Sequence, residues 1–376
     1  MKIIIAGDLV PTKANIDLFI NADLKSLLGE ELYSIWNSTN IRIFNLETPL
    51  TDKEEPIPKY GPNLFAPTET VNGIKKLDPS LLVLANNHIL DQGVKGFYTT
   101  IKALQDKDIN FIGAGKNIYD ASKPFKIEKN GQRIGFYCCA EHEFTIATDD
   151  KPGANPFDPL ESLDHIQDLK KESDYVVVLY HGGKEHYRYP SPYLQKVCRK
   201  MVDKGADLVI CQHSHCVGAY EEYKDATIVY GQGNFIFNKH DNEYWNNSIL
   251  IDVNIDNNFR VDYIPIVTTE KGIRLAKSEE KNEILGNFKK RSEEILKEGF
   301  TERKYEDFAK QSIDNYLRKF LGFGKWLSRI DRRILKGSLL RKKISREYLL
   351  TIENYIECEA HRELLLKGIK ARRNSL

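Results

Sequence analysis

The chain has 376 residues, 41% of them apolar and 29% charged, and a formal net charge of +1. That length sustains one large core or a core with an appendage, and the composition is that of a globular chain. No apolar run approaches the roughly 18 residues a membrane helix needs, and the opening MKIIIAGD is too short for a signal-peptide core. A cytoplasmic protein is therefore expected.

In chain order, apolar β-rich runs fall at 2–6, 41–44, 81–85, 110–113, 133–138, 175–180, 208–211, 227–230 and 248–253. Helical stretches such as 97–107 and 191–204 lie between them. Alternation of this kind predicts an α/β domain. VVVLY at 176–180 is apolar at every position, as a central strand covered on both faces is. Lys129-Asn130-Gly131 predicts a tight hairpin, because Asn-Gly suits a type I′ turn. After Thr268 the β pattern stops, and the remainder, rich in Lys, Glu, Leu and Arg, reads as several helices. The division is expected at an α/β domain over 1–270 and a basic helical extension over 271–376. Residues 277–376 carry 25 Lys+Arg against 16 Asp+Glu, or +9, while 1–276 carry 30 against 38, or −8.

None of the six cysteines forms a CxxC pair, so reduced thiols are expected. Cys211 and Cys216 flank two histidines and would suit a soft metal; small core residues on a strand and turn are the favoured reading.

The chemistry gathers where the strands end. KIIIA runs into Gly7-Asp8, IRIF into Asn45-Leu46-Glu47, and LLVLA into Asn86-Asn87-His88. VVVLY runs into His181, LVICQ into His213-Ser214-His215, and TIVY into a glycine-rich turn ending at Asn234. An open α/β sheet binds ligands at the carboxyl ends of its strands, and parallel pairing brings all these groups to one edge. A lone histidine is usually structural; the same pattern at several strand ends points to a site. Carboxylate, amide oxygen and imidazole together suit one or two divalent ions of Mn, Fe or Zn. Two such ions bridged by a carboxylate form a common hydrolytic centre. Gly7, Gly182, Gly183, Gly231 and Gly233 are expected to make the tight turns this requires. His88 and Asp91 are three apart; on a helix beginning there they share a face, and Asp91 would orient His88 as a general acid. A plain helix N-terminus is the alternative. Lys184, Glu185, His186 and Arg188, with Asn234, form a candidate set for an anionic substrate, or else a solvated loop. His142 and His165 fit no such pattern.

The segments GDLVPT, FNLETPLT, LANNHILDQG, FIGAGKN, YHGGKEHY, GADLVICQHSH and YGQGNFIF occur in this order within residues 3 to about 237. They resemble the capsule-synthesis protein CapA, or poly-γ-glutamate biosynthesis, family, which is similar to the calcineurin-like metallophosphoesterases. The resemblance implies a four-layer sandwich, two β-sheets flanked by helices. It implies that Asp8 and His215 hold a first metal, that Asn87, His181 and His213 hold a second, that Glu47 bridges the two, and that His88 is the catalytic histidine. Two departures stand out. The first motif, Asp8-Leu9-Val10, lacks the histidine expected two residues after the aspartate, so occupancy by one metal becomes an option. Gly182 replaces the usual tryptophan. The implied role is a metal-dependent, phosphoesterase-like hydrolase in capsule or exopolysaccharide production, with an anionic polymer or phosphorylated substrate and the capsule-synthesis machinery as partners. The alternatives are an assembly factor that keeps the metal fold without turnover, and an amide-bond hydrolase acting on an anionic polymer.

Residues 316–346 hold 11 Lys+Arg and one acid, with Phe323, Trp326, Leu327, Ile330 and Ile334 recurring at helical spacing. A basic amphipathic helix can lie on the anionic inner face of a membrane or grip a polyanion. Burial of the apolar stripe against the acidic body is the favoured reading. No base-reading motif points to nucleic acid.

Overall fold

The computed structural model describes residues 1–238, 242–256 and 258–375. They divide into two compact units, Met1–Glu302 and Arg303–Leu376.

In the first unit the strands are β1 (Lys2–Leu9), β2 (Ile41–Leu46), β3 (Leu81–Val83), β4 (Phe111–Ile112), β5 (Ala114–Gly115), β6 (Phe125–Lys129), β7 (Gln132–Ala140), β8 (Gly153–Ala154), β9 (Tyr175–His181), β10 (Leu208–Gln212), β11 (Tyr220–Tyr223), β12 (Ala226–Val229), β13 (Asn247–Ile255), β14 (Phe259–Thr268) and β15 (Ile273–Leu275). Two large sheets result: a seven-stranded one ordered β15-β14-β13-β1-β2-β3-β4 and a six-stranded one ordered β11-β12-β10-β9-β7-β6. At the centre of each the strands are parallel, β1 to β4 in the first and β7, β9, β10 and β12 in the second. Antiparallel strands close the flanks.

Alternation along the strands sets the layers. In β7, Ile134, Phe136, Cys138 and Ala140 join the core that holds β1 and β2, while Tyr137 and Cys139 join a second core. Val177 and Leu179 of β9 face the first core, and Val176, Val178 and Tyr180 face the second. That second core is closed by helices Ser162–Lys171 and Pro192–Asp203 through Ile166, Leu169, Val197, Cys198 and Met201. Phe19, Leu27, Leu32, Trp36, Ile74, Phe97 and Leu104, from helices between Ile16 and Gln105, pack into the first core with the seven-stranded sheet. Helix, sheet, sheet, helix is the four-layer arrangement expected. The hairpin is also as read: Asn130 and Gly131 have φ of 55° and 74°, as a type I′ turn requires.

The first unit runs past 270 because helix Ser278–Ile295 belongs to it. Phe288 rests on Tyr220 and Tyr263 with ring centroids 4.9 and 5.0 Å apart. Arg291 Nε donates to the Gly218 carbonyl at 2.6 Å, and Ser292 Oγ accepts from Tyr220 N at 2.8 Å.

The second unit is helical, as expected for the extension. It includes Lys325–Arg333, Ser338–Lys343, Arg346–Glu357 and Glu359–Asn374. Its best-buried polar contact is an ion pair, Arg318 Nε to Asp331 Oδ2 at 3.0 Å. Among the described residues, no helix is long and apolar enough to cross a membrane.

Candidate metal centre

Parallel pairing delivers the carboxyl ends of β1, β2, β3, β9, β10 and β12 to one place, and the singled-out side chains follow them there. Asp8 lies near the end of β1, and its Oδ1 accepts from Asn45 Nδ2 at 2.6 Å. Glu47 follows β2 and is fully buried. Asn87 and His88 lie in the turn after β3. His181 ends β9, and His213 and His215 follow β10.

His181 is the hub. Its Nε2 lies 3.0 Å from Asn87 Oδ1, 3.2 Å from Glu47 Oε1 and 3.1 Å from His213 Nδ1. Its Nδ1 lies 3.1 Å from Asn45 Nδ2 and 3.7 Å from Asp8 Oδ1. His215 Nδ1 is 3.8 Å from Asp8 Oδ2 and 2.8 Å from Asn234 Oδ1. Two sets of donor atoms fall within 4.8 Å of one another: Glu47, His181 and His213, and Asp8, Glu47 and His215. Glu47 is common to both.

The electrostatics are those of a cation site. Burial, with the nearby Glu47 carboxylate second, pushes Asp8 up to about 7. Burial pushes Glu47 up to about 8, with His88 pulling the other way. Burial holds His181 and His213 below the ordinary imidazole value and takes His215 down to about 3. The histidines are thus neutral, with lone pairs available, as ligands must be. Neither Glu47 oxygen accepts a hydrogen bond. A buried carboxylate without partners is costly unless a cation answers it. Asp8, Glu47, Asn87, His181, His213 and His215 therefore fit a divalent ion with nitrogen and oxygen ligands.

His88 and Asp91 meet, though by a turn and not by a helix: the helix begins at Gly93, and Asp91 N donates to the His88 carbonyl at 2.9 Å. His88 Nδ1 lies 2.5 Å from Asp91 Oδ2, which also accepts from Leu64 N at 2.6 Å. Asn86, not chosen as a ligand, is locked elsewhere: its Nδ2 donates to Asn45 Oδ1 at 3.0 Å and to the Leu46 carbonyl at 2.8 Å.

The loop after β9 is mixed. Glu185 is close enough for its charge to raise Glu47 further, and Lys184 for its charge to depress His213. His186 Nε2 accepts from Trp245 Nε1 at 2.9 Å, and Arg188 sits 4.7 Å above the Tyr244 ring. Asn234, expected to meet substrate, has its Oδ1 2.8 Å from His215 Nδ1. Cys211 and Cys216 stay out of both donor sets; Cys211 packs in the second core, 3.5 Å from Cys198.

Two members were not foreseen. Asn45 ties Asp8 to His181; lying two residues before Glu47, it shares that residue's side of the strand, which was the available signal. Lys59 pairs with Asp91 and lies 3.2 Å from His88 Nδ1. It arrives from a loop without periodicity, and nothing in the sequence pointed to it.

A family model described as "Bacterial capsule synthesis protein PGA_cap" matches residues 2–239. The chain belongs to this family. It is 36% identical over 183 residues to a capsule biosynthesis protein CapA of Bacillus anthracis, covering 47% of this chain and 44% of that one. It is 34% identical over 175 residues to a PGA biosynthesis protein CapA of Bacillus subtilis, covering 46% of each. The chain thus spans about half the length of the curated relatives it matches. A solved structure of a hypothetical protein from Thermus thermophilus is similar at TM-score 0.47 and 14% identity, covering 71% of this chain and 99% of that one. Asp8, Glu47, Asn87, His88, Asp91, His181, His213 and His215 all lie within the matched segment.

Proposed function

We propose that the chain is a divalent-metal-dependent hydrolase of phosphoesterase type, working in production of an anionic capsule polymer. The observation that carries this reading is Glu47: both its oxygens are buried and unbonded, between two sets of neutral imidazole, amide and carboxylate donors. When bound there, a divalent cation polarises a phosphoryl oxygen and renders water acidic enough to attack near neutral pH.

The chain's own groups supply the rest. Asn45 fixes Asp8 and His181 through one amide. Asn234 sets the ring of His215, the kind of outer contact that orients a ligand. Asp91 holds His88 through Nδ1, leaving Nε2 to exchange a proton with a leaving group. Lys59 neutralises Asp91, so the carboxylate orients the ring without adding net charge. The set of Glu47, His181 and His213, with Asn87 beside it, is the richer one, because the first motif offers Val10 where a further histidine was expected.

The test is direct. Protein freed of metal by chelation and reloaded with Mn²⁺ should hydrolyse an aryl phosphate mono- or diester, and Glu47→Gln should lose both metal and activity. Tight metal binding without turnover on any phosphate ester would leave the assembly-factor reading. Failure to bind Mn, Fe or Zn would remove the proposal altogether.

A further inference from the structure

Helix Lys325–Arg333 is turned inside out. Its buried residues are polar, Ser328 and Asp331. Asp331 accepts from Arg318 Nε and from Leu339 N, each at 3.0 Å. The apolar residues point the other way: Trp326, Leu327, Ile330 and Ile334 are 78%, 40%, 42% and 70% exposed. At 100° per residue these four fall in an arc of about 100°, a continuous stripe. Of the stripe expected to be buried, Phe323 is buried and these four are on the surface, and the ion pair to Arg318 holds them there.

The charge around it has one sign. Arg303–Leu376 carry 19 Lys+Arg against 9 Asp+Glu, or +10. Helical geometry sets Arg329 and Arg333 along the border of the stripe. Among the described residues, Lys325, Arg329, Arg333, Lys336, Lys342 and Lys343 make no ion pair. The one acid within 316–346, Asp331, is already engaged by Arg318.

We propose that this face docks on an anionic lipid surface. Trp326, Leu327, Ile330 and Ile334 would enter the headgroup boundary, and the bordering cations would meet lipid phosphates. A second copy fits less well. An isologous contact would set the basic border against itself, and Asp331, the one acid within 316–346, is already engaged by Arg318. At nine residues, helix Lys325–Arg333 would lie in the plane of the interface.

Sedimentation of the full chain with phosphatidylcholine vesicles, with and without phosphatidylglycerol, tests this. Binding is expected only to the anionic vesicles, and is expected to fade as salt shortens the Debye length. Of the three tryptophans, Trp36 and Trp245 are 1% and 4% exposed, so quenching by brominated lipid would report Trp326. Replacing Arg329, Arg333 and Lys336 together by Glu should lower partitioning by at least about a hundredfold. Ile330→Ser with Ile334→Ser should weaken it while thermal unfolding stays unchanged, since both residues are exposed. Full-length protein that ignores anionic vesicles at low salt, binds neutral ones equally, or forms a dimer broken by Ile330→Asp would overturn the proposal.

Discussion

At Glu47 the arrangement of single residues makes a measurable demand on the protein. Folded Asp8 and Glu47 keep their protons up to about 7 and about 8, whereas their ordinary values are 3.8 and 4.5. His215 works the other way, falling from 6.5 to about 3. Below pH 6.5 the two effects oppose. Above it the imidazoles are neutral whether the chain is folded or not, and only the carboxylates count. The unfolded state then binds fewer protons than the folded one, so stability declines as pH rises. Metal-free protein should melt progressively lower between pH 6.5 and about 8, and added Mn²⁺ should remove the slope by replacing the protons. Thermal unfolding in chelator measures this; a flat profile would mean that the carboxylates are not sealed off as described. His88 makes a separate demand. His88→Ala should reduce turnover by roughly 10²–10⁴-fold with metal content intact, as steady-state kinetics alongside elemental analysis would reveal. Loss of metal with the side chain would make it structural. The candidate ligands were legible because each stands at or just beyond the end of an apolar strand. Asn45 and Lys59 were not, because their partners Asp8, His181 and Asp91 lie far along the chain.

At the scale of elements, Gly7 shows how closely the strands must approach. A Cβ there would come 2.1 Å from the Gly233 carbonyl oxygen, which is backbone and cannot swing aside. Gly7 lies inside β1, so its role is close packing and not the turn expected from the sequence. Gly7→Ala should push back the segment bearing Asn234, lower the melting temperature and weaken metal binding. Gly286, within helix Ser278–Ile295, meets nothing within 4 Å. Gly286→Ala should therefore stabilise by about 1 kcal/mol, and denaturant titration of the two variants should move in opposite directions. That helix also shows what hid the domain boundary. Its buried residues, Ile284, Phe288, Ser292 and Ile295, are a thin stripe in a charged sequence. β14 was missed for a related reason. Its apolar positions are mostly half-buried, and Pro265 interrupts the run, although it pairs with Ile249. Strands covered on both faces, such as β9, announce themselves; flanking strands do not.

At the scale of the molecule, an acidic unit carrying the candidate metal site and a basic helical unit occupy one chain. The second has its own internal tie, since Arg318 and Asp331 are both buried. Removing one partner of such a pair leaves the other charge uncompensated. Arg318→Met should therefore loosen 303–376 and hasten its proteolysis, while metal affinity in Met1–Glu302 is unchanged. Limited proteolysis with calorimetry on the intact variant would show whether the two units respond separately.

His213 and His215 have φ of 81° and 55°, in the left-handed region where a side chain other than glycine is strained. A chain selected for durability alone would place glycine at both positions. His213→Gly should accordingly be more stable than His213→Ala by about 1 kcal/mol, in thermal unfolding without metal. In this chain histidines stand at both positions in spite of that strain, and a role as metal ligands would oppose the pull toward a more comfortable backbone. Descendants that abandon the chemistry are thereby released, and these two positions should be among the first to drift to glycine or asparagine. A lineage's residues at 213 and 215 would then record whether its ancestors kept the proposed metal site.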